Sequence, residues 1–592
     1  MTAPPAAAAT TLVQRARELA AESPDRPAYT FVDYQARAQG QAQCLTWAEL
    51  DRRATALAAV LRWHGMAGER AAVLAPQGLD YVVAMLGAFY ARVIAVPLFT
   101  PDLPRYADRL TRVMADADAA CVLTTSAARE SVTALLSRAP APPRLVLAVD
   151  AIEPDPAAAG PDEQIGAGDI AYLQYTSGST RQPAGVMITH GCLAANTAQI
   201  AERLRIEPGQ VTTVGWLPLF HDMGFVLTVA MPMAAAAQAV FMDPAAFLMR
   251  PVRWLQLASG RSEVFAAGPN FAYDYCAARI GADAKAGIDL SGVRALLNGA
   301  EPVRPATMRR FAAAFAGCGL PAQAMTPAYG LAEATVYVSS GAPGEASRVV
   351  DFDRRALELG AAVERPAGPG PAGPPAGPAG PVAGGGVISL VSCGRPGGQH
   401  VAIVDPGTRR ARPAGQAGEI WVCGPNVSPG YFRPPADSPE VFGATLAGAP
   451  PDLPPGGWLR TGDTGVLHGG ELFVTGRLKD LIIVDGRNHY PHDVEVTAQD
   501  AHPAIRRDRV AAFAAPVEDG SCLVVVAERA AGPADLAEVT RAVRAAVSEH
   551  HGIGLHDFRL LRPGAIPRTS SGKIARSACL ERYLAGDYAG AS

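Results

Sequence analysis

The sequence predicts an α/β protein with a large N-terminal part and a small mixed C-terminal domain. Helix patterns and short apolar strand patterns alternate through residues 1 to about 170, which is typical of parallel sheets covered by helices. After residue 391 the pattern becomes rich in strands, and from residue 479 a final segment of roughly 110 residues has the size of a small domain. At 592 residues the chain is too long for one core, which favours two to four domains.

The N-terminal elements follow from hydrophobic periodicity. Residues 46–61 carry leucine and alanine at helical spacing on one face, which predicts an amphipathic helix. Residues 71–74 form a short apolar run that predicts a strand, and residues 81–90 predict a buried helix. Residues 120–123 repeat the strand pattern, so we expect a second strand of the same sheet.

The C-terminal elements are mostly strands. Predicted strands are residues 401–404, 419–422, 471–475, 481–484, 510–514 and 522–526. The Asp485-Gly486 pair after the fourth of these is a hairpin-turn signal. An amphipathic helix is predicted from Leu536 to a stop at Gly552.

Charge and cysteine usage exclude several classes of protein. The net charge of -4 gives no indication of a nucleic-acid partner. The nine cysteines include no pair at CxxC spacing, so neither a disulfide scaffold nor a zinc site is expected. The N-terminus lacks a signal-peptide pattern, and we therefore expect a cytoplasmic protein with reduced thiols.

Residues 223–242 are twenty residues without a charge, a length sufficient to span a bilayer. The segment contains Pro232 and Gln238 and directly follows the polar pair His221-Asp222. These features favour a buried helix with short flanking turns, and we expect no transmembrane segment.

Residues 366–386 break the pattern with eight glycines and seven prolines in 21 residues, without an aromatic or charged side chain. The glycine spacing is irregular, which excludes a collagen repeat. Such a composition cannot bury enough surface to offset its ordering entropy, so a mobile surface loop is predicted.

A hydroxyl-rich run follows the predicted strand at residues 172–175. The run Thr176, Ser177, Gly178, Ser179 and Thr180 combines small residues with hydroxyl donors, which is typical of a concave phosphate-binding loop. The GK[ST] ending of a Walker A loop is missing. Taken alone, the run is also compatible with an ordinary Ser/Thr turn.

Five further runs follow in a fixed order. They are residues 215–224 with His221, residues 298–302, residues 329–335, residues 460–463 with residues 476–480, and residues 568–573. A single histidine is more often structural than catalytic, and a lysine in a tail is usually solvated. Gly572, however, suits a loop that approaches a ligand closely. The combination of runs is much more specific than any one of them.

On these motifs the chain resembles the ANL superfamily of adenylate-forming enzymes over essentially its whole length, and within it most resembles the fatty acyl-AMP ligases. Arg181 and Ala184 stand where the family's CoA ligases usually carry glycine and lysine. Residues 476–491 are very similar to the acyl-AMP ligase pattern. The region between Tyr337 and Ser392 is long, where acyl-AMP ligases carry an insertion.

The resemblance implies an ANL adenylating-enzyme fold. Its large N-terminal domain, residues 1–477, would contain layered α/β subdomains and a β-barrel-like part, with the Pro/Gly-rich insertion at 366–386. Residues 478–592 would form a small mobile α+β domain that carries Lys573. Lys479 would be the hinge, because rotation at this point separates adenylation from acyl transfer in the family.

The resemblance also implies residue roles. The expected phosphate-binding residues are Thr176, Ser177, Gly178, Ser179 and Thr180, and those expected to border the adenine are Gly299, Ala300, Glu301, Tyr329, Gly330, Leu331 and Ala332. Asp463 would accept hydrogen bonds from both ribose hydroxyls, and Arg477 would reach the ribose or the α-phosphate. Glu333 would bind Mg²⁺. His221 would lie near the acyl carboxylate, and Lys573 would stabilise charge on the α-phosphoryl group.

The activity implied is ATP-dependent activation of a fatty acid to acyl-AMP and pyrophosphate. The acyl group would then pass to a phosphopantetheinylated carrier protein or polyketide synthase acting in trans. Three alternatives stay open at this point: an acyl-CoA ligase, a nucleotide- or lipid-binding protein without catalysis, and a luciferase-like oxygenase. The sequence does not predict the acyl chain length, the acceptor or the oligomeric state.

Overall fold

The computed structural model describes residues 10–101, 107–139, 142–154, 165–175, 184–365, 386–434, 440–484, 487–517, 520–532, 535–568 and 573–588. The strands in these residues are β1 Pro27–Asp33, β2 Gln41–Thr46, β3 Arg70–Val73, β4 Ile94–Pro97, β5 Ala119–Thr124, β6 Leu145–Ala148, β7 Ile170–Tyr175, β8 Gly185–Thr189, β9 Thr212–Gly215, β10 Gln238–Phe241, β11 Val264–Pro269, β12 Val293–Gly299, β13 Met325–Tyr329, β14 Ser339–Ser340, β15 Val349–Asp353, β16 Val387–Val391, β17 Arg395–Pro396, β18 His400–Val404, β19 Ala417–Cys423, β20 Leu459–His468, β21 Glu471–Arg477, β22 Ile482–Val484, β23 Arg487–His489, β24 Ile505–Val517, β25 Gly520–Arg529 and β26 Leu555–Leu561. The α-helices are α1 Leu12–Glu22, α2 Trp47–Trp63, α3 Leu79–Tyr90, α4 Ala107–Asp116, α5 Arg129–Leu136, α6 His190–Arg203, α7 Asp222–Phe225, α8 Met231–Ala234, α9 Pro244–Met249, α10 Val252–Ala258, α11 Asn270–Arg279, α12 Ala282–Lys285, α13 Pro305–Phe315, α14 Arg354–Glu358, α15 Pro491–Asp500, α16 Leu536–His551 and α17 Arg576–Leu584.

Two large sheets form the N-terminal part. One has six strands in the order β6-β5-β3-β4-β7-β8, of which only β8 is antiparallel to its neighbour. The other has nine strands in the order β17-β14-β13-β12-β11-β9-β10-β1-β2, and its central strands are parallel. The predicted α/β layering with parallel sheets is therefore confirmed.

The predicted N-terminal elements are also confirmed. The helix predicted at 46–61 is α2, which begins at a capping box between Thr46 and Glu49. The helix predicted at 81–90 is α3, and β3 and β5 lie side by side in parallel. Both helices bury an apolar surface in the largest core of the protein.

The uncharged segment at 223–242 lies inside the protein. Helices α7 and α8 are joined by a π-helical turn at Val226–Ala230, so the chain is continuously helical and largely buried from Asp222 to Ala234. The predicted buried helix is confirmed, and a strand, β10, follows it after a short turn. Within the described ranges, no helix is long and apolar enough to cross a membrane.

The strand-rich part contains an antiparallel sheet in the order β18-β19-β20-β21. A separate hairpin, β15–β16 with α14, borders the Pro/Gly-rich tract, most of which (366–385) lies outside the described residues. At the ends of that tract, the Arg365 amide donates to the Asp351 carbonyl at 2.7 Å, and the Gly386 carbonyl accepts from the Arg354 amide at 2.7 Å. The two ends are therefore held on one small hairpin.

The C-terminal part is an α+β unit with its own core. Strands β24, β25 and β26 form one sheet, and α15, α16 and α17 pack beside it. The predicted strand pair is β24–β25, and α16 ends at Gly552 in the left-handed conformation as predicted. A core cluster that runs from Ile482 to Leu560 contains no residue of the N-terminal sheets, which is what an independent folding unit requires.

Candidate active site

A β-hairpin brings Asp463 and Arg477 together. Strands β20 and β21 are joined by Gly469 and Gly470, whose φ angles of 62° and 78° fit a two-residue hairpin turn. The pairing shifts by one residue between Thr464 and Gly465, so Asp463 lies opposite Arg477 rather than Gly476. The Arg477 Nε donates to Asp463 Oδ1 at 3.1 Å.

Asp463 is buried and held on both sides. Its Oδ2 accepts a hydrogen bond from the Tyr329 hydroxyl at 2.8 Å, and its amide donates to Thr461 Oγ1 at 3.0 Å. Burial raises the pKa of the Asp463 carboxyl, while Arg477 and Lys573 act in the opposite direction. The carboxylate is thus oriented by fixed donors and faces two cations.

The residues expected to border the adenine lie at the carboxyl ends of two parallel neighbours, β12 and β13. Ligands of α/β sheets bind at such ends. A side chain at Gly299 would lie 2.8 Å from the Ala328 carbonyl oxygen, so the two loops approach closely there. Ala300 has a φ of 64°, a strained conformation for a residue other than glycine. These loops are thus held in one specific arrangement.

Glu301 points into the same region. Its Oε1 accepts a hydrogen bond from the Phe271 amide at 2.6 Å, which fixes the carboxylate at the start of α11. Burial raises the pKa of Glu301, and the Phe271 amide, Lys573 and Arg304 counteract that effect. Glu301 is therefore a further acidic group within range of the Lys573 charge.

The loop after β13 positions Glu333. A Cβ atom at Gly330 would lie 1.6 Å from the Val336 carbonyl oxygen, so only glycine fits there. Leu331 precedes a short 3₁₀ turn, Ala332–Ala334, that contains Glu333. Glu333 Oε1 accepts a hydrogen bond from the Tyr431 hydroxyl at 2.8 Å. Burial raises the pKa of the Glu333 carboxyl, which Tyr431 and Arg477 partly offset.

His221 and Asp222 stand at the start of α7. The His221 Nδ1 and Asp222 Oδ1 atoms are 2.5 Å apart, and the Met223 amide also donates to Asp222 at 2.7 Å. Burial alone would raise the pKa of Asp222, but His221, the Met223 amide and Lys573 hold it below its usual value. His221 is therefore oriented by a neighbouring carboxylate.

Lys573 from the C-terminal part reaches this group of residues. Its charge acts on Asp222, Glu301 and Asp463, which come from three separate segments of the N-terminal part. Desolvation lowers the pKa of Lys573, with Arg477 adding to the effect, and the three carboxylates oppose it. Lys573, which is distant in sequence from the hairpin pair Asp463 and Arg477, thus acts at the same site as that pair.

The use of lysine in the chain is unusual. Only three lysines, Lys285, Lys479 and Lys573, occur among the 52 Lys and Arg residues. Lys285 donates to the Ala314 carbonyl at 2.7 Å and lies over the Phe315 ring, which is a structural role. Lys479 is exposed on the 3₁₀ turn Leu478–Asp480 between β21 and β22. The other two lysines thus occupy the predicted hinge and the predicted catalytic position.

The candidate phosphate-binding residues Thr176, Ser177, Gly178, Ser179 and Thr180, together with Arg181, lie outside the described residues. The strands on either side are β7 and β8, which pair Tyr175 with Gly185. The segment 569–572 before Lys573 also lies outside the described residues.

A narrow apolar cavity lies between the nine-stranded sheet and the helix that follows His221. Its volume is about 10 Å³, and its wall includes Leu204, Leu217, Leu227, Met231, Phe265 and Leu297. Trp216, which directly follows β9, stacks on Phe247 with 3.8 Å between ring centroids. Trp216 belongs to the core rather than to this cavity wall.

Three residues that border the site were not identified from the sequence. Tyr431 bonds to Glu333, and Arg304 forms an ion pair of 2.5 Å with Asp508 of the C-terminal part. Arg304 lies two residues after the 298–302 run, which is the one local signal for it. Tyr431 and Asp508 carry no motif, because their contacts arise only in the folded chain.

The candidate metal ligand Glu333 is compatible with Mg²⁺. Within the described ranges, no group of three or more His, Cys, Asp or Glu side chains could hold a metal ion without other ligands. Mg²⁺ commonly uses one or two carboxylates together with substrate phosphates and water, so a single carboxylate suits it.

Comparisons with known proteins agree with this geometry. Residues 16–432 match the AMP-binding enzyme family, and residues 479–591 match the AMP domain of Disco-interacting protein 2-like proteins. Long-chain-fatty-acid–AMP ligase FadD26 of Mycobacterium tuberculosis H37Rv is 42% identical over 96% of both chains. The putative fatty-acid–CoA ligase fadD25 of the same strain is 41% identical over 97% of both chains.

A solved structure is also similar. The fatty acyl-adenylate ligase from L. pneumophila, in complex with acyl adenylate and pyrophosphate, is 33% identical with a TM-score of 0.72. The match covers 97% of this chain and 96% of that one. The chain therefore belongs to the AMP-binding enzymes, and among these to the fatty acyl-AMP ligase family. It is an ATP-using ligase with an ANL adenylating fold.

Proposed function

We propose that this enzyme joins a fatty acid to ATP to form acyl-AMP and pyrophosphate, and then transfers the acyl group to a phosphopantetheine thiol in trans. The observation that carries the proposal is that the charge of Lys573 acts on the Asp463–Arg477 pair, whose Asp463 is hydrogen-bonded to Tyr329 at the end of β13. The fatty acyl-AMP ligase relatives support the first step. The acceptor, a carrier protein or polyketide synthase, is the finer part of the proposal.

In the first step, a carboxylate oxygen of the acid attacks the α-phosphorus of ATP. The bond from that phosphorus to the oxygen bridging to the β-phosphate breaks, and pyrophosphate leaves with the electron pair. Negative charge grows on the α-phosphoryl oxygens, so Lys573 stabilises the transition state more than the bound substrates. Arg477 adds a second positive charge beside the ribose. No residue needs to accept a proton in this step.

The remaining roles follow from the contacts. Asp463, oriented by Tyr329 and Arg477, would accept hydrogen bonds from the ribose hydroxyls. His221, oriented by Asp222, would lie beside the acyl carboxylate. The loops at Gly299–Glu301 and Tyr329–Ala332 would border the adenine, and Thr176, Ser177, Gly178, Ser179 and Thr180 would bind the β- and γ-phosphates.

Glu333 would hold Mg²⁺ together with the phosphates, and the ion would neutralise phosphate charge. The Tyr431 hydroxyl fixes one oxygen of Glu333 and leaves the other for the metal. Because desolvation raises the pKa of Glu333, a bound cation would help to keep its carboxyl ionised.

The acyl chain would enter the apolar cavity next to the helix that follows His221. At about 10 Å³ the cavity has room for roughly one water molecule, so side chains must move to admit an acyl chain. Met231 and the leucines of its wall are flexible enough for that adjustment. Chain length is therefore left to experiment.

The proposal includes two domains, residues 1–477 and 478–592, with Lys479 as the hinge. After acyl-AMP forms, rotation at Lys479 would withdraw Lys573 and admit the thiol. The sulfur would attack the acyl carbonyl, and AMP would leave. The separate core of the C-terminal part supports such a rigid-body movement.

The test is a product assay with purified protein, ATP, Mg²⁺ and a ladder of fatty acids, with CoA or a phosphopantetheinylated carrier protein. We expect acyl-AMP that accumulates with CoA and is consumed by the carrier. Formation of acyl-CoA would instead support the second candidate, an acyl-CoA ligase. The observation behind this candidate is the similarity to the putative fatty-acid–CoA ligase fadD25. Failure of every acid to react would contradict both.

A further inference from the structure

Lys573 emerges from the base of a loop whose two ends lie together. Arg568 and Ile574 form a single antiparallel bridge, and the Ala575 amide donates to the Pro567 carbonyl at 3.0 Å. The intervening residues 569–572 lie outside the described ranges. Because the base fixes where the loop starts and ends, the position of Lys573 depends on how firmly the base is held.

Arg576, the first residue of α17, follows directly on this base and contacts two carboxylates. Its Nε and Nη2 donate to Glu495 Oε1 and Oε2 at 2.7 and 2.8 Å. Its Nη1 donates to Asp480 Oδ2 at 3.1 Å. The planar guanidinium thus binds Glu495 through two nitrogens and Asp480 through the third. Lysine cannot reproduce this arrangement.

The cluster is well shielded from solvent. The Glu495 side chain is 5% exposed, and it also accepts a hydrogen bond from the Ala512 amide at 3.1 Å. Burial alone would raise the pKa of Glu495, but Arg576 and then His492 lower it to about 2, so Glu495 stays ionised at neutral pH. Buried ion pairs add little net stability, and this favours a role in specifying position.

The two carboxylates, Asp480 and Glu495, lie on different segments of the C-terminal part. Asp480 ends the 3₁₀ turn Leu478–Asp480, so it adjoins the hinge candidate Lys479. Glu495 lies on α15, which packs against β24 in the centre of the C-terminal part. Arg576 therefore joins the hinge turn, the body of the C-terminal part and the base of the Lys573 loop.

We propose that Arg576 is a positioning residue for Lys573, which it orients by clamping the base of the loop to Glu495 and Asp480. The inference rests on the proposed role of Lys573 in acyl-AMP formation. Arg576 itself does not touch the reacting atoms. Its effect is to make the hinge turn and the loop base move as one body, so that Lys573 returns to the same place at each closure.

Steady-state kinetics of acyl-AMP formation provide the first test. Arg576→Gln should lower kcat by about 10- to 100-fold, since misplacement by 1 Å can cost on the order of 100-fold. The KM values for ATP and acid should change little, because the substrates bind mainly to the N-terminal part. Arg576→Lys should retain part of kcat. Asp480→Asn removes only the ion pair between Arg576 and Asp480, so its kcat should fall less than that of Arg576→Gln. Arg582→Gln, on the same helix, is the matched control.

A second measurement does not require turnover. The chain contains only three lysines, so labelling by an amine-reactive reagent can be followed at Lys573 with Lys285 as the internal reference. ATP should protect Lys573 from labelling in the unmodified protein and in Arg582→Gln. The protection should be much weaker in Arg576→Gln, whereas labelling of Lys285 should not change.

The outcomes separate the two hypotheses. If ATP protects Lys573 from labelling but no acid yields acyl-AMP, the proposed function is contradicted. In that case the ratio of Lys573 labelling with and without ATP still tests the positioning role of Arg576. Unchanged kcat and unchanged protection in a folded Arg576→Gln variant would overturn the positioning role. If Arg576→Gln does not fold, Asp480→Asn decides in the same way, and a loss of thermal stability without a change in kcat would show a purely structural contact.

Discussion

At position 573 the chain uses lysine, although almost all of its other basic residues are arginine. A lysine ammonium is a compact point charge that can follow a phosphoryl group, while a guanidinium is larger and prefers fixed bidentate partners. At position 576, by contrast, the chain uses arginine, whose guanidinium bridges the carboxylates of Glu495 and Asp480. Basic residues in this site are therefore chosen by geometry as well as charge.

Replacing Lys573 by alanine should reduce acyl-AMP formation by two to three orders of magnitude. Positioned charge stabilisation of this kind is typically worth about 2.7–4 kcal/mol. The rate is measured as pyrophosphate release, with Lys285→Ala as a control lysine outside the site. Near-normal activity of Lys573→Ala would rule out the assigned role.

Acyl-AMP formation should fall on the alkaline side at a pH below the ordinary lysine pKa of 10.5. Desolvation, followed by Arg477, lowers the pKa of Lys573, and the ammonium exists only below that pKa. Activity is therefore retained at lower pH and is lost as pH rises through the lowered value. A profile of kcat/KM against pH, which reports groups of the free enzyme, measures this limb. The limb should be absent in Lys573→Arg, whose residual activity depends on a guanidinium that does not titrate in this range.

Individual elements explain which parts of the site the sequence could predict. The order of motifs predicted Asp463, Arg477, Glu333 and Lys573 as one group, and the apolar periodicities predicted α2, α3, β24–β25 and α16. The extra residue in β21 that aligns Arg477 with Asp463 could not be predicted, because a register shift depends on pairing rather than on composition. The contact between Tyr431 and Glu333 joins residues 98 positions apart and has no local signal.

Deleting residues 366–385 and joining the ends with a short Gly/Ser turn should leave the fold and acyl-AMP formation intact. Both ends are anchored independently of the tract, by the pairing of β15 with β16 and by Arg365 with Asp351. The deletion is checked by thermal unfolding and by pyrophosphate release. Loss of folding would show that the tract is required for stability, contrary to the loop predicted from its composition.

At the scale of the whole molecule, the N- and C-terminal parts meet through polar contacts and through Tyr490, which packs in an apolar cluster with Phe352 and Leu357. The Arg304–Asp508 pair lies beside the site, with side chains 22% and 34% exposed. Asp508 has a φ of 57°, and its amide donates to Gln499 Oε1 at 2.6 Å. A second contact joins Arg354, the first residue of α14 beside the β15–β16 hairpin, to Asp493 and His551 of the C-terminal part.

Arg304→Gln and Asp508→Asn should each weaken acyl-AMP formation modestly, and the double variant should be no worse than the single ones. A partly exposed ion pair contributes about 0.2–1 kcal/mol and is weakened by salt. Asparagine tolerates the left-handed backbone as aspartate does, so Asp508→Asn removes only the charge. A double-mutant cycle on kcat/KM at low and high salt measures the coupling. Additive effects independent of salt would contradict a contact between the two parts during adenylation.

The ends of the 366–385 segment are anchored on the β15–β16 hairpin, and this makes the enzyme suitable for the insertion of a reporter domain. A folded protein whose own termini lie close together could be inserted between residues 365 and 386 without stretching the chain on either side. Because the adjoining Arg354 touches the C-terminal part, a fluorescent domain placed there would lie next to the interface that the proposed rotation would open and close. Its signal would then follow domain movement in real time, independently of product detection.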